Sequence, residues 1–207
     1  MDVFNGRPED IDGRLPREVR VYDFLDKLGI EYQRVDHEHT DTMESCVEVG
    51  KTLGITICKN LFLCNRQKTA YYLLLMPGDK KFKTKELSAQ IGSARLSFAD
   101  GEDMVKYLDI EPGSASIMGL MNDTDKNVTL LIDEDVLKEE YFGCHPCMNT
   151  SSLKLKTQDV IGKFVPATGH DYRVVHLVGE DDPWGRSQGV IFEERRFDSK
   201  KDMRGKN

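Results

Sequence analysis

The sequence predicts an α+β fold, in which a single domain over residues 16–177 follows a flexible lead over 1–15 and precedes a charged tail over 178–207. Three observations support this prediction. Helical and strand-like hydrophobic patterns are mixed along the chain instead of strictly alternating. The lead is polar and contains glycine and proline. Ten of the fifteen residues from Glu193 to Asn207 are charged, which is too polar a composition to bury a core.

The first half of the domain follows from three local patterns. Apolar residues at i, i+3, i+4 and i+7 predict a helix over residues 16–28, which Pro16 starts and Gly29 ends. Asp41 and Glu44 have the spacing of a capping box and therefore predict a second helix. Apolar runs bounded by polar turns predict strands. These strands cover residues 31–36, 57–63 and 71–76, the last two as a hairpin.

The second half predicts shorter elements. Thr84 and Asp100 are of the residue types that cap helices, and apolar residues at helical spacing follow each of them. Asp133 opens a helical turn, and Thr157 opens the last helix. The remaining β-rich runs predict strands over 96–99, 128–132, 141–146, 152–155 and 172–177.

Helical spacing also predicts which side chains face the core. In the second helix these are Met43, Cys46, Val47 and Leu53, and in the helix after Asp100 they are Met104, Val105 and Leu108.

The composition excludes several classes of protein. A net charge of -7 argues against bulk, non-specific binding to DNA or RNA, although a local basic patch is compatible with it. The longest apolar run, Tyr71 to Met76, is too short to span a membrane. The first residues lack the basic and apolar plan of a signal peptide. Five cysteines at irregular spacing indicate reduced thiols, so we expect a cytoplasmic protein with no membrane partner.

Lys59 stands at the entrance of a predicted core strand. Its side chain must either extend to water or face a polar site. An ammonium that points into a pocket is a suitable anchor for a phosphate group. The strand alone leaves both interpretations open, and a solvated lysine at the end of a strand is the simpler one.

Two loops carry further candidate residues. The first, Glu111 to Ser116, places small residues after a proline, and such loops expose backbone N–H groups to a ligand that approaches closely. The second, Gly143 to Thr150, contains His145 between a glycine and a proline. Neither loop is specific alone, because most glycine-serine loops are turns and most loop histidines are structural.

Cys144 and Cys147 have the spacing of a redox dithiol or of half a metal site. The residues after Cys147 are a poor helix start, which disfavours redox chemistry. A metal site needs further ligands, and the available side chains lack zinc-finger spacing. They are His37, His39, Cys58 and Cys64. No nucleophile elbow, Walker loop or dinucleotide-binding fingerprint is present in the sequence.

Taken together, six stretches resemble the YbaK or prolyl-tRNA-editing family, and most of all its freestanding Ala-tRNA(Pro) deacylases. They are Lys59–Leu63, Tyr71–Lys80, Leu87–Phe98, Glu111–Ser116, Val128–Asp133 and Gly143–Thr150. Their order and spacing agree over about residues 17–177. The resemblance implies a compact α+β domain with a bent, partly barrel-like mixed sheet flanked by helices. It also implies hydrolysis of a mischarged aminoacyl-tRNA ester without a metal or another cofactor.

The resemblance assigns roles to particular residues. Lys59 matches the lysine that holds the phosphate of the terminal adenosine, and His145 matches a histidine on the opposite pocket wall. Gly113 with Ser114 matches the loop that contacts the aminoacyl carbonyl and the attacking water. Ile117 stands where much of the family has proline, which implies a less rigid loop. The implied substrate-binding residues are Asn60, Ala115, Ser116 and Asn149, and the predicted apolar lining is Leu61, Phe62, Leu96, Met118 and Leu120.

The implied partner is the acceptor end of aminoacylated tRNA(Pro). Docking on prolyl-tRNA synthetase, and deacylation of Cys-tRNA(Pro) or another small aminoacyl-tRNA, stay open. A module that binds aminoacyl-tRNA or the synthetase without catalysis is the alternative from another class. Two basic segments are candidates for phosphate contacts: the residues from Arg195 onward, and the cluster Lys80, Lys81, Lys83 and Lys85, which is otherwise a solvated turn.

Overall fold

The computed structural model describes residues 1–39 and 43–179, with no side-chain detail for residues 43–45. It contains strands and helices in mixed order, which confirms the predicted α+β class. The strands are β1 (Phe4–Asn5), β2 (Tyr32–Asp36), β3 (Lys59–Asn65), β4 (Tyr71–Met76), β5 (Leu96–Phe98), β6 (Val128–Asp133), β7 (Tyr141–Cys144), β8 (Ser151–Lys156) and β9 (Tyr172–Val175).

The helices lie between these strands and are mostly short. They are α1 (Pro16–Lys27), α2 (Met43–Leu53), α3 (Thr84–Ile91), α4 (Gly101–Leu108), α5 (Glu134–Lys138), α6 (Thr157–Asp159) and α7 (Val165–Ala167). A 3₁₀ helix, Ile117–Asn122, follows the glycine-containing loop, and a π-helical stretch, Val160–Phe164, joins α6 to α7. Among the described residues, no helix is both long enough and apolar enough to cross a membrane.

The strands form two sheets. One has the order β1-β2-β8-β7, and the other has the order β5-β3-β4-β6-β9. The predicted hairpin is confirmed, since β3 pairs antiparallel with β4. The sheets meet where Ile57 bridges Gly143, and the N–H of Cys58 donates to the Gly143 carbonyl at 3.1 Å. The architecture is therefore two linked sheets, whereas the resemblance implies one bent, partly barrel-like sheet.

Alternation along the strands divides the core. Phe62, Leu73 and Leu75 point into the larger cluster, which α1, α4 and the β8 strand complete. Leu63 and Leu74, on the opposite face of the same hairpin, pack beneath α3 in a second cluster. The hairpin is thus covered on both faces, which explains its nearly continuous apolar sequence.

Two predicted core positions are wrong. Val47 is 52% exposed, because the buried face of α2 is formed by Val49 and Leu53, four residues apart, and Val47 points away from it. Val105 is 46% exposed, because Met104 and Leu108 define the inner face of α4. In both helices the prediction added the residue that directly follows an inward-facing one, Val47 after Cys46 and Val105 after Met104, to the buried face.

Some of the predicted helix ends are confirmed and others are not. Asp100 caps α4 by accepting a hydrogen bond from the Asp103 N–H, as predicted. Thr84 is the first helical residue of α3, and Lys83 occupies the capping position without a side-chain bond. The predicted flexible lead contains β1, which pairs with β2. The capping box at 41–44 and the tail from 180 onward lie outside the fully described residues.

Candidate functional site

The candidate residues meet in a cavity of about 300 Å³ at the start of β3. The edge strand β5 pairs only with Leu63–Asn65, so the first part of β3 borders open space on that side. Residues from six separate segments enclose this space. The lining consists of Cys46, Ile57, Cys58, Lys59, Asn60, Leu61, Phe62, Phe98, Ala99, Met104, Pro112, Gly113, Ala115 and His145.

Lys59 is half-buried at one wall of the cavity. Its ammonium donates a hydrogen bond to the backbone carbonyl of Lys80 at 2.8 Å. A carbonyl holds the ammonium in place without neutralising its charge, which leaves two further N–H donors for an anion. The structure thus keeps Lys59 as a cation beside the cavity.

The glycine loop forms the facing wall. Pro112 and Gly113 are the central residues of a turn that the Ser114 N–H closes on the Glu111 carbonyl at 3.1 Å. Gly113 has φ +87°, a left-handed conformation that side chains other than glycine's rarely adopt. Gly113 and Ala115 line the cavity, whereas Ser114 between them is 3% exposed. The backbone, and not the Ser114 hydroxyl, is what this loop presents.

Asn60 and Ser116 hold the glycine loop in place. The Asn60 side-chain oxygen accepts a hydrogen bond from the Ile117 N–H at 2.8 Å. A proline at position 117 would have no N–H to donate to Asn60. Ser116 is fully buried, donates to the His145 carbonyl and accepts from the Met118 N–H at 3.1 Å. Ser116, predicted to bind substrate, instead ties the two loops of the site together.

His145 lies on the third wall, and its ring is oriented by the strand behind it. Its Nδ1 donates to the Ser151 carbonyl at 2.8 Å, which leaves Nε2 as the acceptor of a neutral ring. Burial lowers the pKa of His145, with smaller contributions from His37 and His39. His145 is therefore a neutral imidazole near pH 7.

Two polar residues, His37 and Ser152, lie behind His145 and were not predicted to support it. The Ser152 hydroxyl lies 3.3 Å from the His145 Nδ1 and 2.9 Å from the His37 Nε2. Because the His37 Nδ1 donates to the Glu38 carbonyl, its Nε2 accepts from Ser152. Sequence offers no signal for this network, since His37 directly follows β2 whereas Ser152 lies in β8.

The remaining predicted site residues are divided between the cavity and the core. Leu61 and Phe62 line the cavity as predicted. Asn149 is fully buried, with its amide nitrogen 3.4 Å from the position that a Cβ would take on Gly113. Three residues of the predicted lining lie in the core instead, because the Leu96 side chain of β5 and the apolar side chains of the 3₁₀ helix point into the protein. These are Leu96 in the cluster beneath α3, and Met118 and Leu120 in the larger cluster.

The predicted lysine cluster also separates. The Lys80 ammonium bonds Asp133 at 2.8 Å and Asp135 at 2.7 Å, so it is engaged within the fold. Lys81 lines a different cavity. Lys83 and Lys85 line a groove that also contains Lys59.

Cys144 and Cys147 are both buried in the larger core cluster. Burial raises the pKa of the Cys144 thiol to about 12 and also raises that of Cys147, which suppresses the reactive thiolate. Within the described ranges 1–39 and 43–179, no three histidine, cysteine or acidic side chains are grouped to hold a metal ion.

Comparison with known proteins places this geometry in a family. The family model of the aminoacyl-tRNA editing domain matches residues 37–162, which include every wall of the cavity. The prolyl-tRNA editing protein ProX of Acetoanaerobium sticklandii is 31% identical over 153 residues, covering 74% of this chain and 93% of that protein. Prolyl-tRNA synthetase associated domain-containing protein 1 of Mus musculus is 32% identical over 71% of this chain and 88% of its own length.

A solved structure agrees at the level of the fold. A protein provisionally described as a trans-editing enzyme for prolyl-tRNA synthetase superposes with a TM-score of 0.59 at 16% identity, covering 79% of this chain and 97% of that chain. The matched profile, the sequence relatives and the shared fold lead to one conclusion: this chain belongs to the aminoacyl-tRNA editing domain family.

Proposed function

We propose that this protein is a trans-editing hydrolase that deacylates mischarged Ala-tRNA(Pro). The observation that carries the proposal is the convergence of a cationic Lys59, the exposed backbone of Gly113 and a neutral His145 on one small cavity. Relatives of this chain carry the names of prolyl-tRNA editing and prolyl-tRNA synthetase associated proteins, which supports both the substrate and an association with the synthetase.

In the proposed reaction Lys59 binds the phosphate of the terminal adenosine and sets the ester against the glycine loop. A water oxygen bonds to the aminoacyl carbonyl carbon, and backbone N–H groups of the loop stabilise the oxyanion that develops. The bond to the ribose oxygen then breaks, and that oxygen takes a proton. A ribose hydroxyl of the substrate assists the water, so an activated ester needs positioning more than a strong protein nucleophile.

The limited selectivity of a proline-specific synthetase site supports alanine as the amino acid. A synthetase site built for proline rejects the smaller alanine weakly, since a missing methylene is worth only about 1–3 kcal/mol. The candidate cavity of about 300 Å³ is large enough for a small aminoacyl group. An editing site of this kind removes the error that the first site admits.

We expect the protein to hydrolyse Ala-tRNA(Pro) and to leave Pro-tRNA(Pro) largely intact. The measurement is the rate of release of each amino acid from tRNA(Pro) charged in turn with alanine, cysteine, serine and proline. Faster release of cysteine or serine would redirect the specificity within the same reaction. Binding of charged tRNA without release of any amino acid would instead support a non-catalytic module, and equal release of alanine and proline would refute the editing function.

Cys144 and Cys147 are expected to be dispensable for this chemistry. Replacing both with alanine should preserve deacylation, because their buried thiols are held in the protonated form, while stability falls by about 1 kcal/mol for each removed sulfur. Deacylation and thermal unfolding of the double variant test this, with chelator treatment of the parent protein as the control. Zinc near one per chain, together with loss of activity on chelation, would establish a metal site.

A further inference from the structure

Phe98 is the most exposed large apolar residue in the described part of the chain, with 62% of its surface accessible. It ends the edge strand β5, beyond the area that α3 covers. Its ring meets Phe82 at 6.1 Å between centroids with an angle of 68° between planes. This edge-on contact orients the Phe98 ring while most of it stays in solvent. Phe98, Phe82 and Leu61 form one apolar patch with polar side chains around it, which is the kind of surface that marks a binding groove.

The surface next to Phe98 is basic, although the protein as a whole is acidic. Phe98 lines a groove of about 600 Å³ together with Lys59, Lys83 and Lys85. Among the described residues, no aspartate or glutamate lines this groove, while the net charge of the chain is -7. Positive charge thus lies beside the aromatic ring that is most exposed in the described part of the chain.

The groove continues into the candidate active site. Lys59, Leu61 and Phe98 line both the groove and the cavity that contains Gly113 and His145. A chain that enters through the groove would therefore reach the cavity with its end. Lys59 stands at the junction and would contact the phosphate that joins the two parts.

Resting on the proposed function, we propose that this groove binds the single-stranded nucleotides that precede the terminal adenosine, with one base stacked on Phe98. Single-stranded nucleic acid is recognised by aromatic rings that stack on bases within a positively charged groove. A nucleotide strand supplies both the flat apolar face that suits Phe98 and the phosphates that suit the lysines. An acidic protein segment would match the lysines but leave the exposed ring without a specific partner.

The test measures how affinity grows with the length of RNA. The ligands are one, two, three and four nucleotides from the 3′ end of tRNA, each ending in adenosine that carries alanine through a non-hydrolysable amide. We expect the affinity of the parent protein to rise by roughly 5- to 100-fold when the base that stacks on Phe98 is added. Phe98→Leu should lose this increment, and Phe98→Trp should retain it because an indole also stacks.

Two further variants control for charge and for surface substitution in general. Phe4→Leu changes another exposed phenylalanine, on β1 of the other sheet, and should keep the full increment. Lys85→Ala should reduce the slope of log affinity against log salt by about 0.7, the value for one phosphate contact on a single strand. Thermal unfolding of every variant confirms that the fold is intact.

The outcomes separate this inference from the proposed function. An increment that survives Phe98→Leu, or that is missing from the parent protein although the one-nucleotide ligand binds, overturns the stacking role alone. A parent protein that binds none of the ligands and does not deacylate Ala-tRNA(Pro) overturns the function and the groove together. If Phe98→Leu keeps the increment but weakens binding to prolyl-tRNA synthetase, the groove is a protein interface.

Discussion

Replacing Lys59 with alanine is expected to slow the deacylation of Ala-tRNA(Pro) by about 10²–10³-fold while the protein stays folded. Lys59 sets the ester against the oxyanion donors of the glycine loop, and losing the alignment with one such donor costs about 2.7–4 kcal/mol. The fold loses only the hydrogen bond from the ammonium to the Lys80 carbonyl, which contributes about 1 kcal/mol. Single-turnover rates at saturating protein, measured beside thermal unfolding curves, test both halves of this expectation.

The control for Lys59 is Lys163→Ala, which removes a half-exposed lysine that pairs with Asp159 in the last helix. We expect its rate and its unfolding temperature to match those of the parent protein within error. A Lys59→Ala protein with the parent rate would show that this lysine is only a solvated strand end. A Lys59→Ala protein that unfolds would show that its bond to Lys80 is structural.

Local patterns were sufficient for the parts of the fold that bury a regular stripe. The helix α1 and the β3–β4 hairpin were predictable because a period of 3.6 or an apolar run, with turn residues at its ends, leaves one arrangement that buries it. The 3₁₀ helix Ile117–Asn122 was not predicted, because its residues have no period of their own and it is held by Asn60 and Ser116.

The candidate site was predictable only in part. None of Lys59, Gly113 and His145 is specific alone, and they were predictable because the stretches that contain them together resemble an editing family. The cavity walls formed by Phe98 and Met104 were not predictable, because these residues reach the site through the tertiary packing of β5 and α4. Tertiary packing also explains why Leu96 and Met118 were misplaced. Both are apolar and lie near candidate residues in the sequence, but their side chains face the core and not the cavity.

The largest effect on stability is expected for Lys80→Met, which should lower the free energy of unfolding by about 3–5 kcal/mol. The Lys80 ammonium bonds the Asp133 carboxylate, whose side chain is completely buried. Burial already raises the pKa of Asp133 despite this partner. Removing the ammonium leaves an uncompensated carboxylate in the core between β6 and α5, whereas methionine fills a similar volume. Chemical denaturation at pH 7 measures the loss.

Two variants and a pH series identify the buried charge as the cause. Lys138→Met removes an exposed lysine that shares the partner Asp135, and should leave the free energy of unfolding close to that of the parent protein. Adding Asp133→Asn to Lys80→Met should recover most of the stability, because asparagine is neutral and still caps α5. A carboxyl whose pKa is raised by folding is relieved by protonation, so the Lys80→Met deficit should shrink as the pH falls from 7 toward 5. A deficit that is independent of pH and that Asp133→Asn does not repair would attribute the effect to packing around Lys80.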